Sequence, residues 1–95
     1  MKIALYPNFD KSNALSCTLA CADILYRYGA EVFVRESHRE QFSSADFVKI
    51  GKMSEIASEC DIIIAIGVTR RAIYNLRCKI GNLFAEGCEI IVPFL

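Results

Sequence analysis

The chain has 95 residues, of which 54% are hydrophobic and 23% are charged. This length fits one compact domain, and the apolar content exceeds the soluble average, so we expect neither a second domain nor a disordered chain. Eleven basic and eleven acidic residues cancel. The overall charge therefore gives no reason to expect binding to nucleic acid or to an anionic membrane.

The predicted elements begin with a short strand over residues 2–7, which ends at a proline. Residues 8–13 supply turn and helix-capping side chains, and apolar residues then recur at steps of three and four through residues 14–28. Gly29 stands where this helix would end, and residues 30–34 have the composition of a second strand. A strand that follows a strand and a helix should lie parallel to the first.

The middle of the chain has a weaker pattern. Residues 35–56 are largely polar, and we interpret them as a loop with one or two short helices. Residues 61–66 form an apolar run typical of a buried strand, residues 71–86 show helical spacing that stops at Gly87, and residues 88–92 are a fourth strand candidate. The prediction is a single α/β domain over residues 1–95, a small three-layer parallel sheet of about four strands with helices on both faces, Rossmann- or flavodoxin-like.

The five cysteines are odd in number and have no CxxC spacing, so we expect reduced thiols in the core. Cys17 and Cys21 would share a helix face, which leaves a two-thiol metal or redox pair open, but no further ligand lies nearby to complete it. No signal peptide is visible, and the apolar runs are too short to cross a bilayer. These features predict a cytoplasmic protein.

Candidate binding residues lie where the predicted strands end. Gly67 fits either a phosphate-binding loop or the simple turn that ends a strand. Asn8 and Lys11 follow the first strand, at the edge where open α/β sheets bind ligands, although turn and capping roles would explain such loop residues equally well. Thr69 precedes a predicted helix, where it fits either a cap or, with the two arginines that follow it, an anion site. His38 has no metal-binding partner at a recognised spacing, and we interpret it as a surface residue.

The amino-acid sequence of the first 67 residues resembles that of the N-terminal region of the NAD kinases. The segments that carry the resemblance are Met1-Lys-Ile-Ala-Leu-Tyr-Pro-Asn8, Leu25-Tyr-Arg-Tyr-Gly29 with the following Glu31-Val, and Cys60-Asp-Ile-Ile-Ile-Ala-Ile-Gly67. They cover about two-thirds of this chain but only the opening of a typical family member, whose second, β-rich domain we do not expect within these 95 residues.

The chain departs from the family after Gly67. The family's Gly-Gly-Asp-Gly motif lets phosphates approach the backbone and supplies an aspartate implicated in activating the hydroxyl that receives the phosphoryl group. Here Val68, Thr69 and Arg70 follow the first glycine, and Thr69 has no carboxylate. A truncated, recombined or frame-disrupted gene product would explain the change, although the coherent pattern after Arg71 argues against random sequence.

The resemblance implies a nucleotide-binding region of an ATP-dependent NAD kinase that is inactive as this chain. It implies ATP and NAD with a divalent cation as ligands, and only Gly67 matches the family's motif. Together with Asn8, Lys11 and Thr69, which are candidates because of their positions at the strand ends, Gly67 makes up the predicted binding residues. We expect no catalytic or metal-binding residue in this chain. The alternative hypothesis is a non-enzymatic, flavodoxin-like binding or self-association module, possible as a homo-oligomer because of the apolar excess.

Overall fold

A computed structural model describes residues 1–93 of the chain, apart from the side chain of Asn82. Five strands pair in parallel in the order β3-β2-β1-β4-β5. The strands are β1 (Lys2–Pro7), β2 (Glu31–Arg35), β3 (Lys49–Gly51), β4 (Ile62–Ile66) and β5 (Glu89–Ile91). The helices are α1 (Ala14–Arg27), α2 (Met53–Glu59) and α3 (Arg70–Ile80), with 3₁₀ helices at Glu36–Phe42 and Gly81–Leu83.

The α/β class and the parallel sheet are confirmed, but the expected number of about four strands is wrong. The additional strand is β3, which lies in the segment predicted as a loop and pairs with β2 from Phe33 to Arg35. It has only three residues and ends in glycine, so it is too short to show the alternation or the apolar run that indicates a strand.

The third helix also ends earlier than predicted. The helical spacing extends to residue 86, but α3 stops at Ile80 because Gly81 adopts a positive φ of 45°. A 3₁₀ turn follows over Gly81–Leu83 and leads towards β5. Glycine takes this backbone conformation at little steric cost, which makes it a common helix stop.

The sheet has a buried cluster on each face. The first face packs β1, β2 and β4 against α1 and the segment after β2, with Leu5, Val34, Phe42 and Ile66 among its buried residues. The second face packs Ala4, Phe33 and Ile63 against α2 and the segment before β5. Because both faces are covered, the central strands read as nearly continuous apolar runs.

Small residues let α1 approach the sheet closely. Ala14, Thr18 and Ala22 are four residues apart, lie on one face of α1, and are completely buried. The buried Thr18 hydroxyl donates to the carbonyl of Ala14 at 2.6 Å, which satisfies its hydrogen-bonding need within the helix.

The cysteines differ in burial, although all of them were expected in the core. Cys60 is fully buried, and this burial, assisted mainly by nearby Cys88, raises the pKa of its thiol to about 12. Cys17 and Cys78 are exposed instead of lying in the core.

Within residues 1–93, no helix combines the length and the apolar content needed to cross a membrane.

Ile63 tests how much the central strand contributes to stability. Its side chain is 0% exposed in β4, so we expect Ile63→Ala to lower the free energy of unfolding by about 2–5 kcal/mol, the range for a buried isoleucine. Ile24 on α1 is 53% exposed, and Ile24→Ala should change it by less than about 0.5 kcal/mol. Urea unfolding of both variants provides the comparison; equal losses would contradict this packing.

Candidate functional site

A cleft of about 440 Å³ lies at the carboxyl edge of the sheet. Three segments that follow neighbouring strands form its walls. They are residues 6–10 at the end of β1, Arg35, His38 and Gln41 at and after the end of β2, and Val68, Thr69 and Ala72 after β4.

The topology explains the position of the cleft. The chain leaves β1 for α1 on the first face of the sheet. After β4, α3 lies on the second face, where Ala72 and Leu76 line a groove together with Tyr6. The two connections therefore diverge from adjacent strands and leave a crevice between them. In open α/β sheets this switch point is where ligands bind.

Asn8 joins the two sides of the crevice. Its backbone N–H donates to the carbonyl of Ile66 at 2.8 Å, and its side-chain Nδ2 donates to the carbonyl of Gly67 at 3.3 Å. Its Oδ1 accepts from the backbone N–H of Asp10 at 3.2 Å. Gly67 has a φ of 71°, a left-handed conformation that favours glycine. These hydrogen bonds of Asn8 join the turn after β4 to the loop after β1.

Arg35 supplies the positive charge of the cleft. Its guanidinium carbon lies 4.3 Å from the ring centroid of Tyr6, and Nη2 lies 3.3 Å from Nε2 of His38. Stacking on an aromatic face holds a guanidinium while leaving its N–H donors available. Arg35 takes part in none of the ion pairs formed by residues 1–93. The side chain is therefore held in place, but no carboxylate of the described residues neutralises its charge.

The protonation state of His38 follows from its neighbour. A guanidinium has only donors, so Nε2 of His38 accepts and the proton of the neutral ring is on Nδ1. Burial, and secondarily the charge of Arg35, lower the pKa of His38 below its usual 6.5. The ring packs edge-on against Phe9, with centroids 4.6 Å apart. His38 is thus a neutral N–H donor held at the wall of the cleft.

Three buried polar atoms in this wall have no hydrogen-bond partner within the described chain. They are Nε of Arg35, Nδ1 of His38 and Oε1 of Gln41. A buried polar atom without a partner costs about 1–3 kcal/mol. All three residues line the same cleft, but the three atoms are enclosed by the protein, so a ligand in the cleft would pair with them only after the side chains turn.

The structure brings together only some of the predicted binding residues. Asn8 and Thr69 line the cleft. Gly67 does not line it, but its carbonyl accepts a hydrogen bond from the side chain of Asn8. Lys11 is exposed and is not part of the lining. Thr69 caps α3 by accepting from the N–H of Ala72 at 3.2 Å, as one of the two interpretations predicted.

Three residues of the wall were missed by the sequence analysis. The interpretation of His38 as a surface residue is wrong, because it is half-buried in the cleft. Arg35 and Gln41 had no assigned role. Their position directly after β2 was the available signal, since the carboxyl ends of parallel strands meet at one edge.

A preformed metal site is not found in the described part of the chain, because no three of its His, Cys, Asp and Glu residues group together. Asp10 supplies a carboxylate to the cleft lining and is exposed.

Comparisons with known proteins give no match: no protein-family model, no curated protein and no solved structure is similar to this chain. The resemblance to NAD kinases therefore stays a prediction from the residues quoted for it.

His38 should make stability depend on pH. Because its pKa is lowered on folding, the unfolded chain takes up the proton first, and stability falls as the pH drops from about 6.5 towards the folded-state pKa. Arg35 is the charged group beside the ring, and Asp10 is the other charged residue that lines the cleft. We expect His38→Gln to lose less stability than the wild type between about pH 7.5 and pH 5.5. Urea unfolding at both pH values measures this; equal losses would show that His38 titrates normally.

Proposed function

We propose that the chain is a Rossmann-like nucleotide-binding module, the N-terminal region of an NAD kinase-type protein, which binds its ligand without transferring a phosphoryl group by itself. The proposal is carried by one observation. A cleft at the switch point of the sheet is lined by Arg35, His38 and Gln41, whose charge and polar groups are not matched by other described residues.

The strand order supports this proposal. The order β3-β2-β1-β4-β5 corresponds to the first five strands of the dinucleotide-binding order 3-2-1-4-5-6. In such sheets the crevice beside the first strand receives the ligand. Here the hydrogen bond from Asn8 to Gly67 connects the two sides of the same crevice. The fold alone does not determine a function, so the argument depends on the groups in the cleft.

The space beside the cleft suits an extended ligand. A groove of about 610 Å³ lies between the sheet and α3, and it shares Tyr6 and Ala72 with the cleft. Leu76 gives the groove an apolar wall, while Asn75 and Lys79 provide polar groups. Small-molecule sites usually measure about 300–1,000 Å³ and combine apolar walls with a few polar groups. A nucleotide has both a flat base and charged phosphates, which match the groove and the cleft.

The residues after Gly67 favour binding over phosphoryl transfer. Thr69 stands where the NAD kinases place their motif aspartate, and its hydroxyl accepts the N–H of Ala72. A threonine cannot take a proton from a substrate hydroxyl near neutral pH. Asp10 does not replace the motif aspartate, because it follows β1, whereas the motif position follows β4, and its side chain is exposed.

Thermal unfolding with and without nucleotide tests the proposal. A ligand present at ten times its dissociation constant stabilises the folded state by about 1.4 kcal/mol, which raises the melting temperature of a domain this size by about 5–10 °C. We expect such a shift with millimolar NAD or with ATP and magnesium. Sodium sulfate at matched ionic strength controls for salt effects. A cooperative transition that neither nucleotide moves would contradict nucleotide binding.

Self-association is a second candidate function, favoured by the exposed apolar residues near β5. This strand pairs only with β4 in the described sheet, and Ile91 and Val92 are 43% and 41% exposed. An edge strand with free backbone groups and apolar side chains is a template for pairing with another chain. A second copy of this chain pairing at β5 would cover both.

Charge at the β5 edge tests self-association. If two copies pair there, we expect a dimer in sedimentation equilibrium that Ile91→Lys converts to a monomer, because a charge on an edge strand opposes pairing. Leu15→Lys is the matched control, since Leu15 is also 43% exposed but lies on α1. A wild-type monomer, or a dimer that Ile91→Lys leaves intact, would rule out this interface.

A further inference from the structure

The contact between Arg35 and His38 in the cleft wall exists in only one protonation state of the histidine. Nη2 of Arg35 lies 3.3 Å from Nε2 of His38. A guanidinium has only donors, so this hydrogen bond requires the neutral ring, in which Nε2 accepts. In the protonated ring both nitrogens are donors. Protonation would therefore place two N–H donors and two positive charges against each other across the same short distance.

The groups around this pair do not relieve that repulsion. Neither Arg35 nor His38 takes part in an ion pair within residues 1–93. Asp10 is the only other charged residue that lines the cleft, and it is exposed, so water screens its charge. The charged residues next to His38 on its own 3₁₀ helix are all exposed as well: Glu36, Arg39 and Glu40. The segment after β4 contributes only uncharged residues to the cleft: Val68, Thr69 and Ala72.

Arg35 is the member of the pair that can move. The ring of His38 packs edge-on against Phe9, with centroids 4.6 Å apart, and Phe9 packs against the core cluster of the first face. Arg35 has a longer side chain and borders a cleft of about 440 Å³. Its guanidinium is held by the bond to His38 and by stacking on Tyr6 at 4.3 Å. Loss of the bond would leave the stacking alone, and the guanidinium could then turn into the cleft.

We propose that the Arg35–His38 contact is a pH switch in the cleft wall: the neutral ring holds the guanidinium enclosed, and protonation of the ring releases it into the cleft. Burial and the charge of Arg35 lower the pKa of His38, which places the release below pH 6.5. Nε of Arg35 and Nδ1 of His38, which are enclosed with the ring neutral, then become accessible to water. The switch is a property of the folded chain and does not depend on nucleotide binding.

An NMR titration from about pH 7.5 to about pH 4.5 tests the switch. His38 is the only histidine in the chain, so its Cε1–H signal reports protonation directly, while solvent exchange of the Arg35 Nε–H reports release. Arg39 is exposed and does not line the cleft, so the ratio of the two Nε–H exchange rates removes the intrinsic effect of pH on exchange. We expect Arg35 to exchange at least about tenfold more slowly than Arg39 while His38 is neutral. This difference should disappear with the midpoint of the His38 titration.

His38→Gln separates the contact from the proton. The glutamine carbonyl can accept from Arg35 but does not take up a proton in this range, so the exchange ratio should stay constant with pH.

Three outcomes would overturn the switch: an Arg35 Nε–H that stays protected through the His38 midpoint or is unprotected at neutral pH, a ring that stays neutral throughout, or a His38→Gln variant that loses protection as the wild type does. The wild-type titration uses neither a variant nor a nucleotide. It therefore decides the switch even if His38→Gln does not fold, and independently of the proposed function.

Discussion

The pairing of β1 with β4 is the constraint from which the arrangement of the site follows. These strands align along five residue pairs, from Ile3 opposite Ile62 to Pro7 opposite Ile66. Because both strands end at the same level, Asn8 emerges beside Gly67 and can bond to its carbonyl. The connections then leave towards opposite faces, and the cleft lies between them. The register of one strand pair thus creates the crevice and brings its two walls together.

The cleft and the core make opposite demands on stability. A domain of this size has a net stability of about 5–10 kcal/mol, and each unpartnered buried atom in the cleft wall costs about 1–3 kcal/mol. The apolar clusters on the two faces, with Leu5, Val34 and Ile63 fully buried, offset that cost. A sequence optimised only for folding would pair or remove Arg35, His38 and Gln41. All three residues line one cleft, so the cost is concentrated there and is not scattered over the fold.

Apolar spacing predicted most of the fold because long elements repeat their pattern. The residues of β1, β2, β4, α1 and α3 are recognisable in this way. β5 and β3 both have three residues, but β5 belongs to the apolar run Ile90-Ile91-Val92, whereas β3 contains only Ile50 and depends on its pairing with β2. Turn chemistry identified Asn8 and Thr69, because each follows a recognisable strand. Arg35 and His38 were not found, since their contacts with Tyr6 and Phe9 are set by how parallel strands align, which no local pattern in a polar segment records.

The source of positive charge is what separates this cleft from a glycine-rich phosphate loop. In such a loop the backbone N–H groups at the start of a helix hold the phosphates. Here the N–H of Ala72, at the start of α3, already donates to the side chain of Thr69. Arg70 and Arg71 are exposed and do not line the cleft. The charge comes instead from Arg35 at the end of β2, on the other side of β1. If the proposed site binds an anion, its recognition would depend on a side chain held by aromatic stacking, so it would be more sensitive to the position of that anion than a backbone loop.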